Sequence, residues 1–258
     1  MRAFLALVRK ELLYLRAYPL DLLNLAVSPG LLVAPYLVVA KLFGAGPDLQ
    51  SSVAVGLLLW YWLSTLFWTV GYGIREEMEE GVLESLLTTP TSLLAVLGAK
   101  AVAGMIENAY ITLGIVGWLF AFGIALPLPW PAFVGVMFLA GLGLVGFCMA
   151  YAGVVLLVKR AENIGEGMQM ALGMLTGMTL PPQLFPRSVW IISRVIPLSY
   201  GIEAARRLLS GDVVEREIAW LVASGAAYAF AGWALLRRAE RRMKAAGVPD
   251  PVVDLLVA

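Results

Sequence analysis

Five glutamates crowd one stretch of this chain, Glu76, Glu77, Glu79, Glu80 and Glu84, within Arg75–Pro90 and between two long uncharged runs. Val82, Leu83, Leu86 and Leu87 recur beside them at helical spacing, so the segment pairs a charged half with an apolar half. Such a helix suits docking of a soluble partner; the plainer reading is a solvated loop with one helical turn. Catalytic chemistry is harder to build here. With no histidine in the sequence, imidazole metal sites and His-dependent triads are impossible. Cys148 is the single cysteine; it allows no internal disulfide or cysteine metal cluster and reads as a small buried apolar residue. No Gly-x-x-x-x-Gly-Lys-Ser/Thr occurs, so ATP hydrolysis through a phosphate-binding loop is excluded.

The elements that must position these residues are apolar and long. Hydrophobic residues make up 60% of the chain and mean hydropathy is +0.84, well above a globular domain. The net charge of +1 argues against a nucleic-acid surface. Six runs are long enough to span a bilayer: Leu22–Ala40, Val53–Ile74, Ala101–Leu126, Ala132–Val158, Gly167–Pro186 and Ile218–Leu236. Backbone amides in hydrocarbon must be bonded within their own element, and alternating strand patterns are absent, so the spans are helices. Val53–Ile74 carries about ten Val, Leu, Ile or Phe residues, worth about −3 to −6 kcal/mol of insertion energy before polar corrections.

Only one charge, Glu107, lies inside these runs, and it falls near one end of Ala101–Leu126. A charge there costs less than at a span centre. Glu107 is expected to face water or a helix contact rather than couple to substrate, so Glu107→Gln is expected to leave transport largely intact. Thirteen of the 19 Lys and Arg fall on the side of the termini and the acidic loop; six, including Lys41, Arg187 and Arg206, fall on the other. The positive side is expected to be cytosolic. Residues 1–18 are no signal peptide, because Arg9, Lys10 and Glu11 break the apolar core. Arg2, Arg9 and Arg16 share one helical face and Phe4, Val8, Leu12 and Leu15 another, the pattern of an interfacial amphipathic helix.

Two segments resemble a known family. Arg75-x-x-x-x-x-Gly-x-Leu-Glu-x-Leu-Leu-x-Thr-Pro-x-Ser, followed by Gly98-Ala99-Lys100, is similar to the cytoplasmic loop of type-2 ABC exporter permeases, with Val82 where the family often has Thr. Thr179–Tyr200 interrupts an apolar stretch with Pro181, Pro182, Pro186 and Pro197. Gly177, Phe185-Pro186 and Pro197-Leu198-Ser199-Tyr200 resemble the same family's segment before the last span.

The resemblance implies that Glu76, Glu77, Glu80, Leu83, Glu84, Leu86, Leu87 and Pro90 meet a separate cytosolic ABC ATPase, which binds ATP and Mg; this chain needs no cofactor of its own. It implies a second permease subunit, identical or different. Pro181, Pro182, Phe185, Pro186, Pro197 and Tyr200 would belong to short re-entrant helices, ending at Pro197, that close the outer end of the path. Trp60, Phe67 and Glu107 are candidates to line that path. The Gly173/Gly177 pair could seat a helix contact.

The expected molecule is thus an all-α integral protein of the cell membrane with six spans and both termini cytosolic. Residues 1–18 form the interfacial helix, 19–244 the permease domain with loop 75–100 and re-entrant segment 180–212, and 245–258 a tail. The expected function is the transmembrane subunit of an ATP-driven exporter of drugs, lipids or peptides. The alternatives are an ion-coupled secondary transporter, which would place several ionisable groups at mid-membrane, and a membrane assembly scaffold; an intramembrane enzyme would need convergent titratable groups.

Overall fold

Helix boundaries in this protein follow local chemistry that hydropathy does not register. The computed structural model describes residues 2–42, 44, 46–79, 81, 88, 92–124, 126–157, 164–178 and 185–246, and every regular element among them is helical. Helix α1 (Arg2–Ala17) leads into α2 (Pro19–Leu42). Helix α3 (Pro47–Leu66) continues through a π-helical stretch, Phe67–Tyr72, into α4 (Gly73–Glu79). There follow α5 (Leu93–Ala121), α6 (Trp130–Leu157), α7 (Ile164–Leu175), α8 (Arg187–Ser193), α9 (Pro197–Leu209) and α10 (Glu215–Ala246).

Four helical stretches are long and apolar enough to cross a membrane: Pro47–Arg75, Leu93–Ala121, Trp130–Leu157 and Glu215–Ala245. They take up four of the six expected runs. The third run is displaced, starting at Leu93 rather than Ala101 and stopping at Ala121 rather than Leu126. Ser92 caps it by accepting the Ala95 amide at 3.2 Å. Lys100 is admitted because Glu77 neutralises it at 3.0 Å. Gly123, at φ +71°, turns the chain away at the far end.

The other two runs correspond to α2 and α7. Helix α2 contains Pro29 and Pro35, and its apolar part, Leu22–Tyr36, is shorter than the four. It lies close on α5, where a Cβ on Gly114 would meet the Ala26 carbonyl oxygen at 2.8 Å. The fifth run is not one continuous helix. Helix α7 has 12 residues and ends before Gly177, whose φ of +77° reverses the backbone. The expected Gly173/Gly177 contact therefore divides into two roles. Gly173 makes room for the Trp60 indole, whose Nε1 would lie 2.5 Å from an added Cβ, while Gly177 makes the turn.

Short as it is, this segment travels far along α3. Gly165 sits against Tyr72, Gly173 against Trp60, and the Met178 carbonyl against Gly56. From Tyr72 to Gly56 is about 24 Å of helix at 1.5 Å per residue. Helix α3 is thus the centre of the bundle, with Leu57, Leu58, Leu59, Leu63 and Leu66 wholly buried, as is Phe67 just beyond it. Helices α6 and α10 form the longest seam. Gly146 and Gly153 let the two backbones approach until an added Cβ would meet Ala229 N or Leu235 Cβ at 2.7 Å.

Candidate functional site

At the end of the bundle that carries the acidic segment, the base of that segment is described, with Gly81 and Thr88 beyond it. Helix α4 extends α3 without a break, so Glu77 is held by the most buried helix in the molecule. Its carboxylate turns inward, 8% exposed, and pairs with Lys100 Nζ on α5 at 3.0 Å. Gly73 keeps the space beside Lys100 open. Arg75 stacks over the Tyr72 ring at 5.6 Å. On the same end Phe4 of α1 rests on Gly98 of α5, with Val8 and Leu12 half-buried and Arg9 exposed. Glu77 was expected to meet a partner's basic group; the basic group it meets is the chain's own Lys100. The reason is its place in the α4 turn, which aims it at α5 rather than outward. Glu76 lies on α4, while Glu80, Leu83, Glu84, Leu86, Leu87 and Pro90 fall outside the described residues.

A second set of polar groups forms a layer at mid-length. Tyr61 is the middle residue of Pro47–Arg75 and Glu107 the middle residue of Leu93–Ala121. Gly141, close to the middle of Trp130–Leu157, would touch the Trp62 ring at 2.6 Å with a Cβ. Trp62 Nε1 donates to Thr112 Oγ1 at 2.9 Å, and Thr112 donates to the Asn108 carbonyl at 2.8 Å. Asn108 is fully buried; its amide reaches the Trp62 carbonyl at 3.5 Å and its Oδ1 has no partner. Tyr61 lies within reach of Ser28 of α2 and of Glu107.

This overturns the placement of Glu107 near a span end. The helix starts earlier than hydropathy suggests, which carries Glu107 to its centre, about 21 Å from either terminus. A carboxylate at that depth costs about 2.5–3.5 kcal/mol on the insertion scale for Asp. No hydrogen bond or ion pair to another described residue offsets it; Glu107 itself is half-buried.

At the opposite end of the bundle, α8 and α9 make a corner. Ser199 Oγ donates to the Ser193 carbonyl at 2.7 Å, and Ser193 Oγ donates to Ser199 Oγ at 3.2 Å. Pro197 opens α9 rather than closing the segment, since a proline at the first helical position loses no needed amide. Pro186 precedes α8 as its N-cap residue, and Phe185 is half-buried. Tyr200 stacks on Trp220 at 6.2 Å and faces the Arg194 guanidinium at 5.3 Å; Arg194 also pairs with Glu203. Pro181 and Pro182 lie outside the described residues. Arg206 on α9 reaches between α3 and the end of α7. It donates to the Ser52 carbonyl at 3.2 Å and to the Met178 carbonyl at 3.0 Å. Burial lowers its pKa to about 10, so it stays cationic at neutral pH.

The sequence model of the ABC-2 type transporter family matches residues 2–209. This chain belongs to that family. No curated relative matches it. An ABC-2 chain is the membrane component of a transporter, and such subunits generally do no catalysis themselves, pair with ATPase subunits and dimerise. The match takes in the base of the acidic segment, the mid-length layer and α9, leaving α10 beyond it.

Within this ABC-2 subunit the two aromatic candidates sit against neighbouring helices, Phe67 beside α6 and Trp60 beside α7. Phe67 is wholly buried, its ring 4.7 Å from Tyr151. Trp60 is half-buried against Gly173, with its Nε1 unpartnered. Hydropathy and charge gave no notice of Gln169, whose amide donates to Ser64 Oγ while Trp68 Nε1 donates to its carbonyl oxygen at 2.7 Å. A search for uncharged amides within apolar runs would have found both Gln169 and Asn108.

Proposed function

We propose that this ABC-2 subunit is one half of an ATP-driven exporter. Two permease subunits form the path, and a separate cytosolic ATPase that binds ATP and Mg drives it through the loop Arg75–Lys100. The subunit crosses the cell membrane six times, with both termini and the acidic loop in the cytosol. The fourfold set of long helices, the climb of residues 164–178 along α3, and the excess of Lys and Arg at the acidic end support that topology. Helices α8 and α9 close the outer end, and the substrate is amphipathic or hydrophobic.

One observation carries the coupling reading. The acidic loop hangs from α4, and α4 is tied to α5 by the Glu77–Lys100 pair at 3.0 Å. A push on the loop would therefore reach α3 and α5 together, and these two helices hold the mid-length layer. Exposed glutamates set register and association rate, whereas apolar anchors hold affinity. Replacing Leu86 and Leu87 together by Asp should release the ATPase on co-purification, or uncouple its hydrolysis from transport in proteoliposomes. A double variant that keeps the ATPase and transports at the wild-type rate would show that the loop is a solvated face.

A further inference from the structure

Glu107 stands at the middle of α5, at the depth where Tyr61 and Gly141 lie near the middles of their own helices. It is half-buried, and no cation of the described chain reaches it. A lone carboxylate at this depth is not stable against lipid tails, so it must take up a proton, face water or meet a positive group supplied from outside the chain. The surroundings favour the last. Tyr61 lies across on α3 within electrostatic reach, and Tyr110 follows one turn along α5, 39% exposed. Aromatic side chains together with a carboxylate are the residue types that bind a desolvated organic cation. Asn108 adds a fully buried Oδ1 with no partner, a second acceptor in the same layer. Among the described residues no basic side chain pairs with Glu107: Lys100 is engaged with Glu77 near the start of α5, and Arg206 with backbone carbonyls at the far end.

We propose that Glu107, flanked by Tyr61 and Tyr110, is the charge-selective contact of the substrate path, and that the substrates it selects are cationic amphipaths. This rests on the transport reading above and names its substrate class. Neutral amphipaths would cross without needing Glu107; anionic ones would be rejected.

The test uses the permease co-purified with its ATPase, and three probes of one shape: tetraphenylphosphonium, neutral tetraphenylsilane and anionic tetraphenylborate. Binding is measured without nucleotide, and ATP-driven transport and stimulated ATP hydrolysis separately in proteoliposomes. The wild type should bind the cation and not the anion. Glu107→Gln should weaken cation binding about tenfold or more, the scale of one charge-assisted contact. It should leave binding of the neutral probe unchanged. Glu107→Asp, which keeps the charge, should recover most of the cation affinity and guards against a folding defect. Equal binding of cation and anion, or a Gln variant that binds the cation as the wild type does, would overturn the proposal. So would an Asp variant that folds normally and behaves like Gln. Cation binding that depends on Glu107 without any ATP-driven transport would uphold the site and remove the exporter reading. Transport of the cation untouched by Glu107→Gln would do the reverse.

Discussion

Lys100 and Arg206 are both cations withdrawn from water, one near each end of the same bundle, and they are satisfied in opposite ways. Lys100 meets a carboxylate, Glu77, on a neighbouring helix that continues into the acidic loop. Arg206 meets two backbone carbonyls, of Ser52 and Met178, and keeps one buried Nη1 without a partner. The first tie joins two side chains, so either partner can be removed together with the other. The second joins a side chain to backbone that no substitution deletes. A tie of the first kind fixes one helix to another as a unit. A tie of the second kind holds a turn, here the reversal at Gly177, onto the start of α3.

The largest effect is expected at the acidic end. Lys100→Met leaves the Glu77 carboxylate buried and uncompensated, which should cost about 3 kcal/mol. Thermal unfolding of the purified complex would read it. Adding Glu77→Leu should restore most of the loss, because an apolar pair of similar volume replaces the ion pair at little cost. A single variant as stable as wild type would mean that the pair does not hold α4 to α5.

Arg206→Met comes next. It removes two charge-assisted bonds and also the burden of a half-buried charge, so the net loss should be about 2 kcal/mol. Arg206→Lys should recover only part, since one ammonium lacks the planar fork that reaches two carbonyls at once. No second substitution should rescue it, in contrast to Lys100. Full rescue by Lys would show that charge alone, rather than the fork, holds the turn.

These two ties were unequally legible in the sequence. The long helices were readable because apolar runs of about 20 residues have few other fates in a membrane protein. Lys100 was visible as part of a motif, but its partner was not, because pairing across a loop is tertiary information. For the same reason the start of α5 was misplaced: a lysine looks like a boundary until its counter-charge is known. Moving that boundary moved Glu107 from the edge of a span to the centre of a helix. Arg206 was counted only as an outer charge, since nothing in its neighbours announces that it turns inward. The break after α7 was foreshadowed by Gly177, yet glycine is common in membrane helices, and only its φ of +77° distinguishes a turn from a contact. The apolar ridge Leu83–Leu87 was inferred from spacing and lies outside the described residues.

Between the two ends lies a third tie with no charge at all. Gln169 of α7 accepts from Trp68 Nε1 at 2.7 Å and donates to Ser64 Oγ, holding α7 to α3 where the helix passes into its π-helical stretch. A π turn inside an α-helix has poorer bonding and often marks a place that moves. Gln169→Leu keeps the size and removes both bonds. Trp68 is partly exposed and can turn to water, so the stability loss should be about 1 kcal/mol, the smallest of the three. Transport distinguishes what the tie is for. A static brace would lose activity only in step with stability, as the Arg206 tie should. Transport that collapses while the unfolding temperature barely shifts would place Gln169 on the moving contact between α7 and the π stretch, and the contrast would then lie between fixed ends and a sliding middle.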